Sequence, residues 1–322
     1  MNIFELGDFP LTSGSALPDA RLAYQTFGEL NAAKSNAVLF TTFLGAPPDI
    51  LTSWIGEGRP LDPASYFIIL PGHFGLPPTS APSNTARSTF PEVSISDDVT
   101  AQHRLVTEVF GIDQLHLVLG WSVGALQVYE WAIRYPDAVR SMAPIGGAPV
   151  PAPWTKLWLS SIVEEPILGN LANGKYAAMT AVAHGAAVTA PPRTFYDETA
   201  PGWRAIGFPS LEEYVRGFWE AFWLAQDPRD VVCQARKART SYPDATGRPL
   251  PDILKTVTAR TTVAAFTGDA LFPPGESRRI ADAIPGAEFH EIGSDFGHLA
   301  TFGLSPSDVA AIDDVIAQAL KD

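Results

Sequence analysis

The feature that most constrains the fold is a short apolar run ending in a Gly-x-Ser-x-Gly turn. Leu115–Leu119 predict a buried strand, and Gly120-Trp121-Ser122-Val123-Gly124 follows directly, ahead of a helical pattern. A Cβ at either glycine of this sharp turn would collide with neighbouring backbone. Ser122 is therefore predicted to lie at the helix N-terminus, where amide N–H groups favour developing negative charge. The pattern indicates a nucleophile elbow; the alternative is an ordinary glycine-rich turn.

A serine hydroxyl needs a base, and the base needs an orienting acid, to attack at neutral pH. Thr261–Gly268 predicts a strand with Asp269 directly after it, and a second strand, Ala287–Ile292, precedes the loop that contains His298. The order Ser, Asp, His is that of the α/β-hydrolase fold. Because side chains at the carboxyl ends of parallel strands meet at one rim, we predict that Ser122, Asp269 and His298 form a catalytic triad.

Other polar side chains could fill the acid or base role. Asp295 lies closer in sequence to His298, but three residues is an unfavourable separation for two side chains that must face each other across a loop. The loop that contains His73 could border the pocket. Five other histidines are nevertheless expected to be structural: His73, His103, His116, His184 and His290.

The rest of the chain alternates strand and helix patterns. We predict an α/β-hydrolase fold with a mostly parallel sheet flanked by helices, its core formed by residues 1–150 and 237–322. The expected elements are strands at Arg21–Phe27, Asn36–Thr41, Tyr66–Leu70 and Ser141–Ile145, a capped helix within Ser94–Phe110 and a closing helix at Ser307–Leu320.

Residues 151–236 interrupt this alternation with alanine-rich and aromatic patches separated by prolines. We predict a helical cap over the active site, whose aromatic face lines the pocket or a subunit contact, so that a homodimer could form through the cap. The alternative is a helical subdomain whose aromatic side chains form its own core.

Composition narrows the function classes. The net charge of −13 argues against nucleic acid or an anionic membrane as the main partner, although solubility is the simpler explanation of that charge. Cys233 is the single cysteine, so an intramolecular disulfide and a thiolate metal cluster are excluded, and the thiol is expected to be inert. No metal or organic cofactor is expected. The first residues lack a basic start and a long apolar run, so we expect a cytoplasmic protein that binds no membrane.

Several longer segments resemble the homoserine O-acetyltransferase family of α/β-hydrolases. The resemblance is specific over about residues 15–150 and 255–302 and weak in the predicted cap. The matching segments are Leu30-Asn31, Lys34–Leu39, Trp54–Asp62, Tyr66–Ile69, Phe90–Val99, Gly120–Ala132 and Asp269–Pro274.

The resemblance assigns the nucleophile to Ser122, the acid to Asp269 and the base to His298, in agreement with the order of the residues. It also implies that two backbone N–H groups hold the oxyanion, and these match Leu44 and Val123.

Three departures from the family bear on the substrate. Members that acetylate homoserine usually have Gly-His-Asp at the catalytic histidine, whereas this chain has Leu299 after His298. The glycine-rich run after the third strand is altered at Gly72–Pro78, and no clear counterpart exists for the family's cap arginine, for which Arg193 and Arg204 are unaligned candidates.

Leucine in place of aspartate removes the counter-charge for an amino acid and supplies an apolar contact. We therefore predict a serine carboxylesterase that hydrolyses small uncharged esters with short acyl groups such as acetate. The alternative is an O-acyltransferase that moves an acetyl group from acetyl-CoA to an alcohol. Candidate pocket residues are Trp121, Leu299 and Phe43; Trp121 could instead pack beneath the turn.

Overall fold

The structure is a computed structural model that describes residues 1–85, 89–243 and 246–321. One eight-stranded sheet forms its centre. The strands are β1 (Asn2–Pro10), β2 (Ala16–Phe27), β3 (Ala37–Thr41), β4 (Phe67–Pro71), β5 (Leu117–Trp121), β6 (Ser141–Ile145), β7 (Arg260–Phe266) and β8 (Glu288–Ile292).

The spatial order of the strands is β1-β2-β4-β3-β5-β6-β7-β8. The pairs β1–β2 and β2–β4 are antiparallel, and every pair from β4 to β8 is parallel. The sequence did not predict β1 or the first part of β2. Register shifts on both sides of Gly7 break the alternation of β1, so the periodic signal of a strand is weak there.

The helices surround this sheet, and most short 3₁₀ and π segments continue or join them. The helices are α1 (Ile95–Arg104), α2 (Val123–Arg134), α3 (Pro153–Trp158), α4 (Glu165–Asn170), α5 (Lys175–Thr189), α6 (Gly202–Ala205), α7 (Leu211–Tyr214), α8 (Ala221–Leu224), α9 (Pro228–Arg239), α10 (Leu250–Leu254), α11 (Pro274–Ala283) and α12 (Pro306–Ala319). A π-helical segment, Leu105–Val109, extends α1.

Helix α1 begins where the sequence predicts a cap. The Ser94 hydroxyl accepts the Asp97 backbone N–H at 3.1 Å, and the Asp97 carboxylate accepts the Ser94 backbone N–H at 2.8 Å. This capping box satisfies N–H groups that the first turn leaves unpaired.

The central strands are buried on both faces. In β3, Val38 and Phe40 belong to one hydrophobic cluster, whereas Ala37 and Leu39 belong to a second cluster. Because successive side chains of a strand point to opposite faces, the two clusters lie on opposite sides of the sheet. These apolar layers fix the positions of the loops at the strand ends.

The segment between β6 and β7 contains α3 to α10 and no strand among its described residues. Helix α9 runs through residues 236 and 237, the boundary between the predicted cap and the core. Helix α9 therefore connects the predicted cap to the core without a break.

Candidate active site

Ser122 occupies the turn between β5 and α2 with a backbone φ of +55°. This region is unfavourable for residues other than glycine, and the surrounding contacts hold Ser122 in it. The Ser122 N–H lies 3.2 Å from the carbonyl oxygens of both Ile145 and Gly146. A Cβ on Gly124 would lie 2.6 Å from the Thr41 carbonyl oxygen, so glycine is required at this close approach.

Three side chains from three strand ends meet at this turn. Nδ1 of His298 lies 2.8 Å from Oδ2 of Asp269, and Nε2 lies 3.0 Å from Oγ of Ser122. Because the carboxylate accepts, Nδ1 carries the proton, and Nε2 is left to accept the Ser122 hydroxyl proton. This is the order of contacts by which a base activates a serine hydroxyl.

The Asp269 carboxylate is held by the loop after β7. Its side chain is fully buried, and Oδ1 accepts the backbone N–H groups of Leu271 at 2.8 Å and Phe272 at 3.0 Å. Oδ2 is thereby left to face the imidazole. The centroid of the Phe272 ring lies 5.7 Å from that of the His298 ring, with an angle of 31° between the two planes.

Asp295, the less favoured acid, is exposed, and Nδ1 of His298 bonds Asp269 instead. The other histidines have separate partners, and none of their described contacts reaches Ser122. His73 lies beside Lys237, His103 stacks on Tyr135, His116 bonds the Leu320 carbonyl, His184 pairs with Glu220, and His290 lies near Glu288.

Leu44 and Val123 reach the pocket of Ser122 from two different elements. Leu44 follows β3, and Val123 is the first residue of α2; both line the same pocket as Ser122 and His298. Within the described residues, neither backbone N–H donates to a protein acceptor. Two free N–H groups beside a serine hydroxyl can receive an oxyanion.

The pocket above Ser122 has a cavity volume of about 70 Å³ and an almost entirely apolar wall. Phe43 and Leu299, two of the candidate pocket residues, both line it, and Leu299 is 1% exposed. Among the residues that the structure describes, its lining contains no Asp, Glu, Lys or Arg.

The placement of Trp121 in the pocket is corrected by the structure. Trp121 is fully buried beneath the elbow, with ring centroids 4.6 Å from Phe40 and 5.0 Å from Trp54, and it is absent from the pocket wall. It ends β5, where strand alternation directs its side chain into the core. Trp121 therefore packs beneath the turn, which was the alternative to a place in the pocket.

The candidate cap arginines, Arg193 and Arg204, are both exposed and lie outside the pocket wall. The guanidinium of Arg204 stacks over the ring of Trp203 at 5.0 Å.

The sequence alone identifies no individual cap residue of the pocket. The structure places four aromatic residues of residues 151–236 there: Trp158, Trp219, Phe222 and Trp223. The aromatic density of residues 151–236 signalled such a wall, but which rings face the pocket depends on helix packing.

In the described part of the chain, no group of three or more His, Cys, Asp or Glu side chains is arranged to hold a metal ion. No helix in the described ranges is long and apolar enough to cross a bilayer.

Comparisons with known proteins agree with this architecture. A family model described as the alpha/beta hydrolase fold matches residues 38–302. The chain is 35% identical to an ethyl acetate hydrolase from Pseudomonas veronii, over 99% of this chain and 95% of that protein. It is 30% identical to a homoserine O-acetyltransferase from Thermobifida fusca, over 90% of this chain and 86% of that protein.

Among solved structures, an acetylester hydrolase from Corynebacterium glutamicum superposes with a TM-score of 0.95 at 30% identity, covering 100% of this chain and 96% of that one. These relatives confirm the predicted fold and the resemblance to the homoserine O-acetyltransferases. They also confirm the prediction of an esterase-like member, a carboxylic ester hydrolase. The chain belongs to the α/β-hydrolase family.

Proposed function

We propose that this protein is a serine carboxylesterase that hydrolyses small uncharged esters, with acetate esters as the preferred class. The observation that carries this proposal is the continuous series of contacts from Asp269 through His298 to Ser122. Ser122 lines a pocket whose described residues include no Asp, Glu, Lys or Arg. Ser122 is the proposed nucleophile, His298 the base and Asp269 the orienting acid.

In the first step, Ser122 Oγ attacks the ester carbonyl carbon while Nε2 of His298 takes the hydroxyl proton. The negative charge that forms on the carbonyl oxygen is received by the N–H groups of Leu44 and Val123. The tetrahedral intermediate then collapses, the C–O bond to the alcohol breaks, and His298 returns the proton to the leaving alcohol. An acyl-serine remains.

In the second step, His298 takes a proton from water, and the resulting hydroxide attacks the acyl-serine carbonyl carbon. The same two N–H groups receive the second oxyanion. Collapse releases the carboxylic acid, and the proton held by His298 returns to Ser122. Asp269 stabilises the imidazolium in both steps.

Pocket size and polarity support the substrate class. The cavity is small, with a volume of about 70 Å³, which suits a short acyl group. An amino acid acceptor would leave its ammonium and carboxylate without counter-charges in this wall, at a cost of several kcal/mol. The relatives named as hydrolases of ethyl acetate and acetyl esters support the same choice.

The test compares p-nitrophenyl esters of increasing acyl length with acetyl-CoA plus homoserine. We expect the highest kcat/KM with the acetate ester, a steep fall as the acyl chain lengthens, and no release of CoA that depends on homoserine. Rapid homoserine-dependent release of CoA would favour the O-acyltransferase alternative.

A homodimer formed through the cap is also a proposal. It is supported by large apolar side chains on the surface of residues 151–236, including Trp154, Leu157 and Val188, whose exposed fractions are 54%, 55% and 76%. Sedimentation velocity of the wild type and of a Val188→Glu variant tests it. The cytoplasmic location is a further proposal and rests on the sequence alone.

A further inference from the structure

The loop that carries Leu44 is a tight turn, here called the oxyanion loop (Thr42–Ala46). The Ala46 N–H donates to the Phe43 carbonyl at 3.1 Å, and Gly45 has a φ of +74°. Leu44 lies between Phe43 and Gly45 in this turn. The Leu44 N–H belongs to the Phe43–Leu44 peptide, which is joined through the Leu44 Cα to the Leu44–Gly45 peptide. Because the bond between Phe43 and Ala46 closes the turn, a rotation of the Leu44–Gly45 peptide would also change the direction of the Leu44 N–H.

The side chain of Gln234, on α9, forms a hydrogen bond with this loop. Its Oε1 accepts the Gly45 N–H at 2.8 Å, and its Nε2 donates to the Gly75 carbonyl at 2.7 Å. The side chain is fully buried. One amide thus ties the oxyanion loop to a second loop, Gly72–Gly75, which is here called the anchor loop.

The anchor loop is fixed by a buried ion pair. Nζ of Lys237 lies 2.7 Å from Oδ2 of Asp98, and both side chains are fully buried. Lys237 also donates to the Phe74 carbonyl, and the Phe74 N–H donates to Oδ1 of Asp98 at 2.8 Å. Both polar groups of the Phe74 backbone are thereby held by charged side chains, which make the stronger hydrogen bonds.

His73 completes the anchor loop. Lys237 can only donate, so Nδ1 of His73, 2.8 Å away, acts as the acceptor. Burial, together with the charge of Lys237, keeps the pKa of His73 well below its usual range, so this ring is neutral.

This arrangement dictates which way the Gln234 amide points. The Gly75 carbonyl can only accept, so the NH₂ group must face it and Oε1 must face the Gly45 N–H. We infer that Gln234 is a positioning residue for the oxyanion hole: it holds the Leu44–Gly45 peptide so that the Leu44 N–H faces the reacting carbonyl. This inference rests on the proposed function.

The test variant is Gln234→Met, which keeps the length of the side chain and removes both hydrogen bonds. We expect kcat for p-nitrophenyl acetate to fall by on the order of tenfold or more, as for a misplaced oxyanion donor, with KM changed less than about threefold. Inhibition by ethylboronic acid should weaken by a similar factor, because its tetrahedral adduct with Ser122 places an oxygen in the oxyanion hole.

The matched control is Asp230→Asn on the same helix. The Asp230 carboxylate is also buried and accepts two hydrogen bonds, from Ser83 N at 2.8 Å and Ser83 Oγ at 2.5 Å. Neither of these bonds involves the oxyanion loop. This variant should lose stability while keeping kcat and boronate affinity.

The inference is overturned if Gln234→Met keeps the wild-type kcat and boronate affinity, or if Asp230→Asn loses as much of both. Gln234→Leu gives the same comparison should the methionine variant fail to fold. Failure of both variants to fold, with Asp230→Asn folded, would assign Gln234 to stability and also overturn the inference. Full activity of Ser122→Ala would instead overturn the proposed function.

Discussion

Thr41 and Gly124 pack so closely that the end of β3 and the start of α2 hold the elbow together. The Thr41 hydroxyl donates to the Gly124 carbonyl at 2.9 Å, and a Cβ on Gly124 would lie 2.6 Å from the Thr41 carbonyl oxygen. The serine turn and the strand that leads to the oxyanion loop therefore cannot move independently.

Gly124→Ala should disturb this contact. The added methyl group would meet the Thr41 carbonyl oxygen, a backbone atom that cannot move aside as the end of a flexible side chain can. We therefore expect a loss of about 1–3 kcal/mol in the free energy of unfolding and a fall in kcat. Chemical denaturation and p-nitrophenyl acetate turnover measure the two effects. Gly169→Ala is the control, because a Cβ there meets nothing within 4 Å. Equal effects of the two substitutions would contradict the account.

Asp269→Asn and Asp295→Asn distinguish the two candidate acids. An amide at residue 269 stabilises the imidazolium poorly and favours the wrong tautomer of His298, so kcat should fall by on the order of 10³- to 10⁴-fold. Asp295 is exposed, and its substitution should leave kcat within about twofold. The reverse result would move the acid role to Asp295.

Leu299→Asp should alter the pH dependence of hydrolysis. Leu299 adjoins His298, and both line the pocket, so a carboxylate at residue 299 would favour the protonated imidazole. The acid limb of the kcat/KM profile should therefore move to higher pH by about one unit or more. Leu299→Asn supplies a polar group of the same shape without the charge and should leave that limb in place. An unchanged limb in Leu299→Asp would show that the two groups do not interact.

Glu130→Gln tests a buried carboxylate away from the chemistry. Glu130 accepts the Ser96 hydroxyl at 2.6 Å and Arg134 Nε at 2.8 Å, and burial raises its pKa despite these contacts. A raised folded-state pKa gives stability that is fully present below the unfolded pKa of about 4.3 and lost as pH rises through the folded value.

Glutamine does not titrate, so the Glu130→Gln variant does not lose this stability as the pH rises. The unfolding temperature of Glu130→Gln minus that of the wild type should therefore increase between about pH 4 and pH 7. A difference that stays constant or decreases over this range would contradict the assigned direction of the pKa.

The sequence predicted the fold and the meeting of Ser122, His298 and Asp269 because each lies just after a strong strand pattern, and parallel strands bring their ends to one rim. Trp121 was ambiguous because the side it faces depends on exactly where β5 ends. The strand pattern was placed at Leu115–Leu119, whereas β5 spans Leu117–Trp121.

The contacts behind the oxyanion loop could not be predicted in this way. Asp98, Gln234 and Lys237 come from two helices whose mutual packing has no local signal in the chain. Lys237 lies between Arg236 and Ala238 in the sequence, a pattern typical of an exposed helix surface, but the structure shows that it is buried against a carboxylate.

The most direct test of the central claim is the site of covalent modification together with its effect on turnover. The wild type and Ser122→Ala are treated with a serine-directed fluorophosphonate, digested and analysed by mass spectrometry, and both are assayed with p-nitrophenyl acetate. We predict one adduct, on the peptide that contains Ser122, and a loss of turnover of at least about 10⁴-fold in the variant. An adduct on another residue, or a variant that retains turnover within about tenfold of the wild type, would contradict the account.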